Sequence, residues 1–149
     1  MKLYKPLLLC SVVLALAACG GVDPDSPMGK RQALFKQMLK TSEDLGGMLR
    51  GRLPFDEARF AAGAAELDKL VRQPWQHFPK VRDEGDSRAK DEVWQRQERF
   101  QQLAEAQMAS VAALAGAAAQ PPLSAATLAP LVTQVEADCK ACHSEFRRY

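Results

Sequence analysis

An all-α fold, an antiparallel up-down-up-down four-helix bundle, is the architecture this chain predicts, and three observations carry the expectation. Apolar residues recur at spacings of three and four in four separate segments. Prolines at 54, 74, 79, 121 and 122 fall between those segments. No stretch alternates apolar and polar residues with period two over a useful length, and no repeat of roughly 20 to 50 residues occurs. A chain of 149 residues, 47 % apolar and 26 % charged, suits one domain with a modest core.

Residues 1–18 stand apart from that domain. Lys2 and Lys5 precede an apolar run from Pro6 to Ala18, the pattern of a secretory signal, and the run is shorter than the ~20 residues a membrane-crossing helix needs. It ends in Leu16-Ala17-Ala18-Cys19, which resembles the bacterial lipobox, whose cysteine becomes the lipidated first residue after cleavage. Gly20 follows, in place of the aspartate associated with inner-membrane retention, so a periplasm-facing protein anchored to the outer membrane through Cys19 is expected. Residues 19–28, rich in Gly, Pro and Asp, read as a flexible tether. The folded domain is expected over 29–149.

Leu34, Phe35, Met38, Leu39, Leu45, Met48 and Leu49 form the stripe of a first helix ending around Arg50-Gly51. Pro54 breaks the chain, Asp56 caps a second helix, and Phe60, Ala61, Ala64, Leu67, Leu70 and Val71 form its stripe, stopped before Pro74. Residues 73–85 read as a long, partly packed crossover holding Trp75, His77 and Phe78. Asp86 or Ser87 is the expected cap of a third helix with Val93, Phe100, Leu103, Met108, Val111 and Leu114 on one face, ending at Pro121-Pro122. Behind a Ser124 or Thr127 cap, Leu128, Leu131, Val132, Val135, Cys139, Cys142, His143 and Phe146 line the last helix. Pro130 marks a kink in it or its first turn.

Removing residues 1–18 takes away Lys2 and Lys5, so Lys+Arg falls from 20 to 18 against 18 Asp+Glu, a net charge of zero. No nucleic-acid partner is implied. Of four cysteines, Cys10 leaves with the signal and Cys19 is committed to lipid, so Cys139 and Cys142 remain and no disulfide framework is available.

The chemistry sits in Cys139-Lys140-Ala141-Cys142-His143. In an exported protein, Cys-x-x-Cys-His reads as attachment of one covalent haem c, with both thiols joined to porphyrin vinyls and the imidazole bound to iron. Helical spacing explains the pattern, because positions i, i+3 and i+4 share a face. A thioredoxin-like dithiol would need a strand-loop-helix setting. A structural zinc site would need four ligands, and only His143 and His77 stand beside the two thiolates. A disulfide would close a tiny ring and leave the histidine unexplained. His77, in the crossover, reads as solvated, and Met28, Met38, Met48 and Met108 read as core residues first, although thioether is a common sixth iron ligand.

Cys-x-x-Cys-His at the end of the chain, followed by Arg147 four residues after His143, resembles the cytochrome c prime family, the class II cytochromes. The likeness spans about 120 residues and includes Arg31-Gln32, Gly51-Arg52-Leu53-Pro54-Phe55-Asp56, Pro74-Trp75-Gln76-His77-Phe78 and Val93-Trp94 with Phe100. It implies a four-helix bundle, often a homodimer, with His143 as proximal ligand of a commonly five-coordinate iron. It implies that Arg147 lies beside the imidazole and weakens its electron donation, and that Arg31 serves the haem propionates. The residue four after Arg31 would face the open side of the iron, where low-spin relatives place a methionine; here it is Phe35, which cannot coordinate. The expected function is binding of nitric oxide or a similar small gas, with single-electron exchange to an unidentified redox partner and no substrate turnover. The alternative is a low-spin electron-transfer cytochrome with a Met sixth ligand.

Overall fold

Helix α1 runs from Pro27 to Leu49 in the computed structural model, which describes residues 21–82, 85 and 87–149. The Ser26 hydroxyl accepts from the Gly29 N–H at 3.0 Å, and Pro27 occupies the first turn, where its missing N–H leaves no bond unmade. Pro27 and Met28, assigned above to the tether, are therefore helical, and Met28 is buried. At the other end Gly51 adopts φ 71°, which lets its N–H reach the Met48 carbonyl at 3.4 Å and the Arg52 N–H reach that of Gly47 at 2.9 Å. This helix-ending motif needs a left-handed residue, hence glycine.

The Asp56 carboxylate accepts from the Arg59 N–H at 2.7 Å and starts α2, Glu57–Val71, as expected. The two helices approach closely, since a Cβ on Gly63 would stand 3.0 Å from Leu45 Cδ2. A 3-10 turn at Pro74–His77 opens the crossover.

The third expected helix is divided into α3, Glu92–Gln95, and α4, Gln97–Ala118. Arg96 breaks it at φ −124°, ψ 50°, and its side chain lies against the last helix: the guanidinium reaches Glu145 at 2.9 Å and sits 5.6 Å from the Phe146 ring centroid. Ser87 caps nothing. It is buried, and its hydroxyl accepts from Arg31 at 3.2 Å and from the Ala89 N–H at 3.2 Å, while Asp86 lies outside the described residues. Ser124, not Thr127, caps α5, Ala125–Phe146, by accepting from the Thr127 N–H at 3.2 Å. Pro130 falls in its second turn and the helix continues through it.

The long helices α1, α2, α4 and α5 pack each on the next, and α1 closes against α5, giving the four-helix bundle. Phe60, Leu45, Leu67, Leu114 and Leu128 are at most 2 % exposed at its centre. Between α4 and α5 the antiparallel register sets Phe100 against Phe146, with ring centroids 5.3 Å apart, and Gln107 against Cys139. That register positions the functional site. Among the described residues no helix is long and apolar enough to cross a membrane.

Candidate functional site

Leu128, Val132, Val135, Cys139, Cys142 and Phe146 follow one another along α5 at alternating steps of four and three, so the two cysteines continue the core stripe of the helix. Both thiols are free and half-buried. Burial pushes Cys139 up to about 11, helped by the neighbouring Asp138 carboxylate. Burial likewise pushes Cys142 up to about 11, with Cys139 adding to it. Both therefore stay protonated at neutral pH. The half-buried His143 shifts the other way: desolvation first, and then the Arg147 charge, lower its pKa. A neutral imidazole keeps a ring-nitrogen lone pair for a metal. Arg147 follows the last turn of α5, where its N–H donates to the His143 carbonyl at 3.1 Å.

A wall of aromatic rings stands across from that face. Phe35 meets Trp75 at 5.8 Å and Phe78 at 6.3 Å between centroids, edge to face; Phe78 meets Phe100 at 4.9 Å, and Phe100 meets Phe146. Phe78, Phe100, Phe146 and Cys142 belong to one apolar cluster, so the wall reaches the second thiol. Beside Trp75, Phe78 and Phe100 opens a cavity of about 160 Å³, bounded also by Pro79, Val93 and Trp94. Met38 joins the central bundle core.

Arg31 is 3 % exposed and lies 4.8 Å over the Phe78 ring. Its guanidinium donates to the His77 carbonyl at 3.0 Å and to Ser87 at 3.2 Å. His77 thus contributes its backbone. Ser87 begins a strap over the end of α5. Lys90 donates its ammonium protons to the carbonyls of Ser144 and Glu145 at 3.1 and 3.2 Å and its N–H to that of Phe146 at 2.9 Å. The Arg148 N–H returns to the Arg88 carbonyl at 2.8 Å, and its guanidinium to that of Ser87. A cation on the terminal carbonyls opposes the negative end of the helix dipole.

Of the residues picked out from sequence, Cys139, Cys142, His143 and Arg147 share the end of α5, while Arg31 and Phe35 join that end through Phe78. Cys19 lies outside the described residues. One buried polar residue was missed. Gln107, 4 % exposed, fills the α4 stripe position assigned to Met108, which is only half-buried. The run Phe100, Leu103, Gln107, Val111, Leu114 keeps the helical period, but a glutamine does not read as core.

Two free thiols and a neutral imidazole on one helix face, beside an apolar aromatic wall with a fixed guanidinium, fit a flat porphyrin with two vinyls, an iron and carboxylate arms. Among the described residues, no three of His, Cys, Asp and Glu gather closely enough to hold a metal ion by themselves.

The family model for cytochrome C' matches residues 26–147. The cytochrome c' of Cereibacter sphaeroides is 30 % identical over 150 residues, with 96 % of this chain and 97 % of that protein covered. Cytochrome c prime from Shewanella frigidimarina superposes with a TM-score of 0.79 at 28 % identity, covering 87 % of this chain and 100 % of that one. A mutant of the Alcaligenes xylosoxidans protein, solved as its nitric oxide complex, gives 0.75 at 25 % identity over 87 % of this chain and 99 % of its own. Matched along its whole helical domain in sequence and in fold, the chain belongs to the cytochrome c' family, four-helix bundles carrying one covalently attached haem c.

Proposed function

We propose that this chain is a periplasm-facing haem protein that binds nitric oxide or a similar small gas at a five-coordinate iron and exchanges single electrons, without turning over a substrate. The observation that carries the reading is the place of Phe35. Its ring, which offers no lone pair, is wedged against Trp75 and Phe78, while the thioether of Met38 lies in the central core. The nitric oxide complex of the Alcaligenes relative supports the choice of ligand.

Cys139 and Cys142 would hold the haem covalently and His143 would bind its iron. The haem, when bound, supplies an iron that takes up the gas and changes oxidation state by one electron. Burial keeps His143 neutral and able to ligate, and the Arg147 charge draws electron density from the ring, weakening its donation. Arg31, held by His77 and Ser87, offers its guanidinium to the haem propionates. Phe35, packed against Trp75 and Phe78, would exclude water from the iron. Cys19, at the end of the secretory signal, carries the lipid that anchors the protein to the outer membrane. The family resemblance is the ground for a homodimer, and the electron partner is a separate redox protein.

Optical spectra of the oxidised and reduced protein test this reading. High-spin bands, uptake of nitric oxide without prior displacement of a protein sulfur, and haem that stays with the protein in acid-acetone are expected. A low-spin spectrum that Met38→Leu converts to high-spin would instead establish a methionine-ligated electron carrier.

A further inference from the structure

We infer that Gln107 is a positioning residue that aims its amide N–H at the Cys139 sulfur and thereby raises the reduction potential of the haem. The inference rests on the reading that Cys139 carries the haem.

Three polar residues are buried among those described: Arg31, Ser87 and Gln107. The first two are bonded to each other. Gln107 is different, since it stands alone in the apolar seam between α4 and α5, flanked along α4 by buried Leu103, Ala104 and Val111. The antiparallel register that brings Phe100 against Phe146 places buried Gln107 opposite Cys139, and the Gln107 side chain favours the Cys139 thiolate, as a donor does, so the amide N–H is the end that faces the sulfur. The opposite end of the carboxamide, Oε1, is buried with no partner. An apolar side chain of the same length would fill the seam without that orphaned oxygen, so packing does not account for a glutamine here.

A carboxamide held this way is an oriented dipole, with its positive end on the sulfur and its negative end turned away. Oxidised haem carries one more positive charge than reduced haem. A positive dipole end at the haem edge therefore disfavours the oxidised form, and the dry seam leaves the effect poorly screened. Hydrogen bonding around a haem is a recognised means of setting its potential. Asp138 and Glu136, on the cysteine's own helix, exert the opposite field on Cys139.

The test uses the full-length, haem-loaded protein with its potential measured by spectroelectrochemical titration and its melting followed in parallel. Gln107→Met keeps the length of the side chain and removes the dipole. A downward shift in potential with an unchanged or higher melting temperature is expected; a packing role alone would move the melting and leave the potential. Gln107→Asn keeps the amide but withdraws it by one methylene, so it should show a smaller downward shift and serves equally if the first variant does not accumulate. An unchanged or higher potential in either variant that retains its haem overturns the inference alone. Haem extracted from the wild-type protein by acid-acetone overturns both the inference and the functional reading beneath it.

Discussion

Replacing Phe35 with alanine removes a ring that contacts two others edge to face. Each aromatic pair contributes about 0.5–1.5 kcal/mol beyond simple burial, so about 1–3 kcal/mol is lost with the two contacts. Truncating a fully buried phenylalanine costs about 3–5 kcal/mol, and Phe35 is only half-buried, so that range is a ceiling. The expected loss is about 2–3 kcal/mol. At roughly 4 °C per kcal/mol for a domain of this size, melting falls by about 8–12 °C, which leaves the protein folded at room temperature. The functional expectation is separate. With the shield gone, nitric oxide should reach the reduced iron on the order of tenfold faster, equivalent to about 1.4 kcal/mol off the barrier. Stopped-flow mixing with nitric oxide measures the rate, and circular dichroism the melting. A variant that melts earlier as calculated yet binds at the wild-type rate would refute the shielding role while leaving the packing account intact.

Two further expectations concern the scaffold. The pKa of His143 is lowered from 6.5 on folding, so the unfolded chain binds more protons in the window below 6.5 and stability rises with pH through it. The haem-free chain should have a lower urea midpoint at about pH 5.5 than at about pH 7.5, and His143→Gln should shrink that difference; an equal difference in both proteins would contradict the lowered pKa. Phe60, fully buried at 0 % exposure, should cost about 3–5 kcal/mol as Phe60→Ala in urea titration, with the haem spectrum unchanged. A loss below about 1 kcal/mol would show that the centre of the bundle collapses around the vacancy.

Most of the bundle is written in local signals. Asp56 and Ser124 cap helices because a short oxygen side chain followed by an apolar stripe satisfies an otherwise orphaned N–H, and Pro74 ends α2 for equally local reasons. The haem-attachment motif is local as well. What stayed hidden depends on distant partners. The break at Arg96 has no Gly or Pro to announce it, and its side chain bonds Glu145, 49 residues away. Ser87 looks like a cap in sequence because a serine before a helix often is one; its hydroxyl instead serves Arg31, 56 residues earlier. Gln107 is polar on a buried face, and only the α4–α5 register reveals why.

The strap over the end of α5 has a consequence for the order of assembly. Ser87 is bonded backwards to Arg31 and its backbone forwards to Arg148, while Lys90 holds carbonyls of Ser144, Glu145 and Phe146. Each link closes a loop of more than fifty residues, an entropic cost met only once the intervening helices have packed. A nascent chain emerging from a ribosome or a secretion channel can form the α1–α2 hairpin early, but the end of the bundle around His143 stays unlatched until α5 and Arg148 have emerged and met the strap.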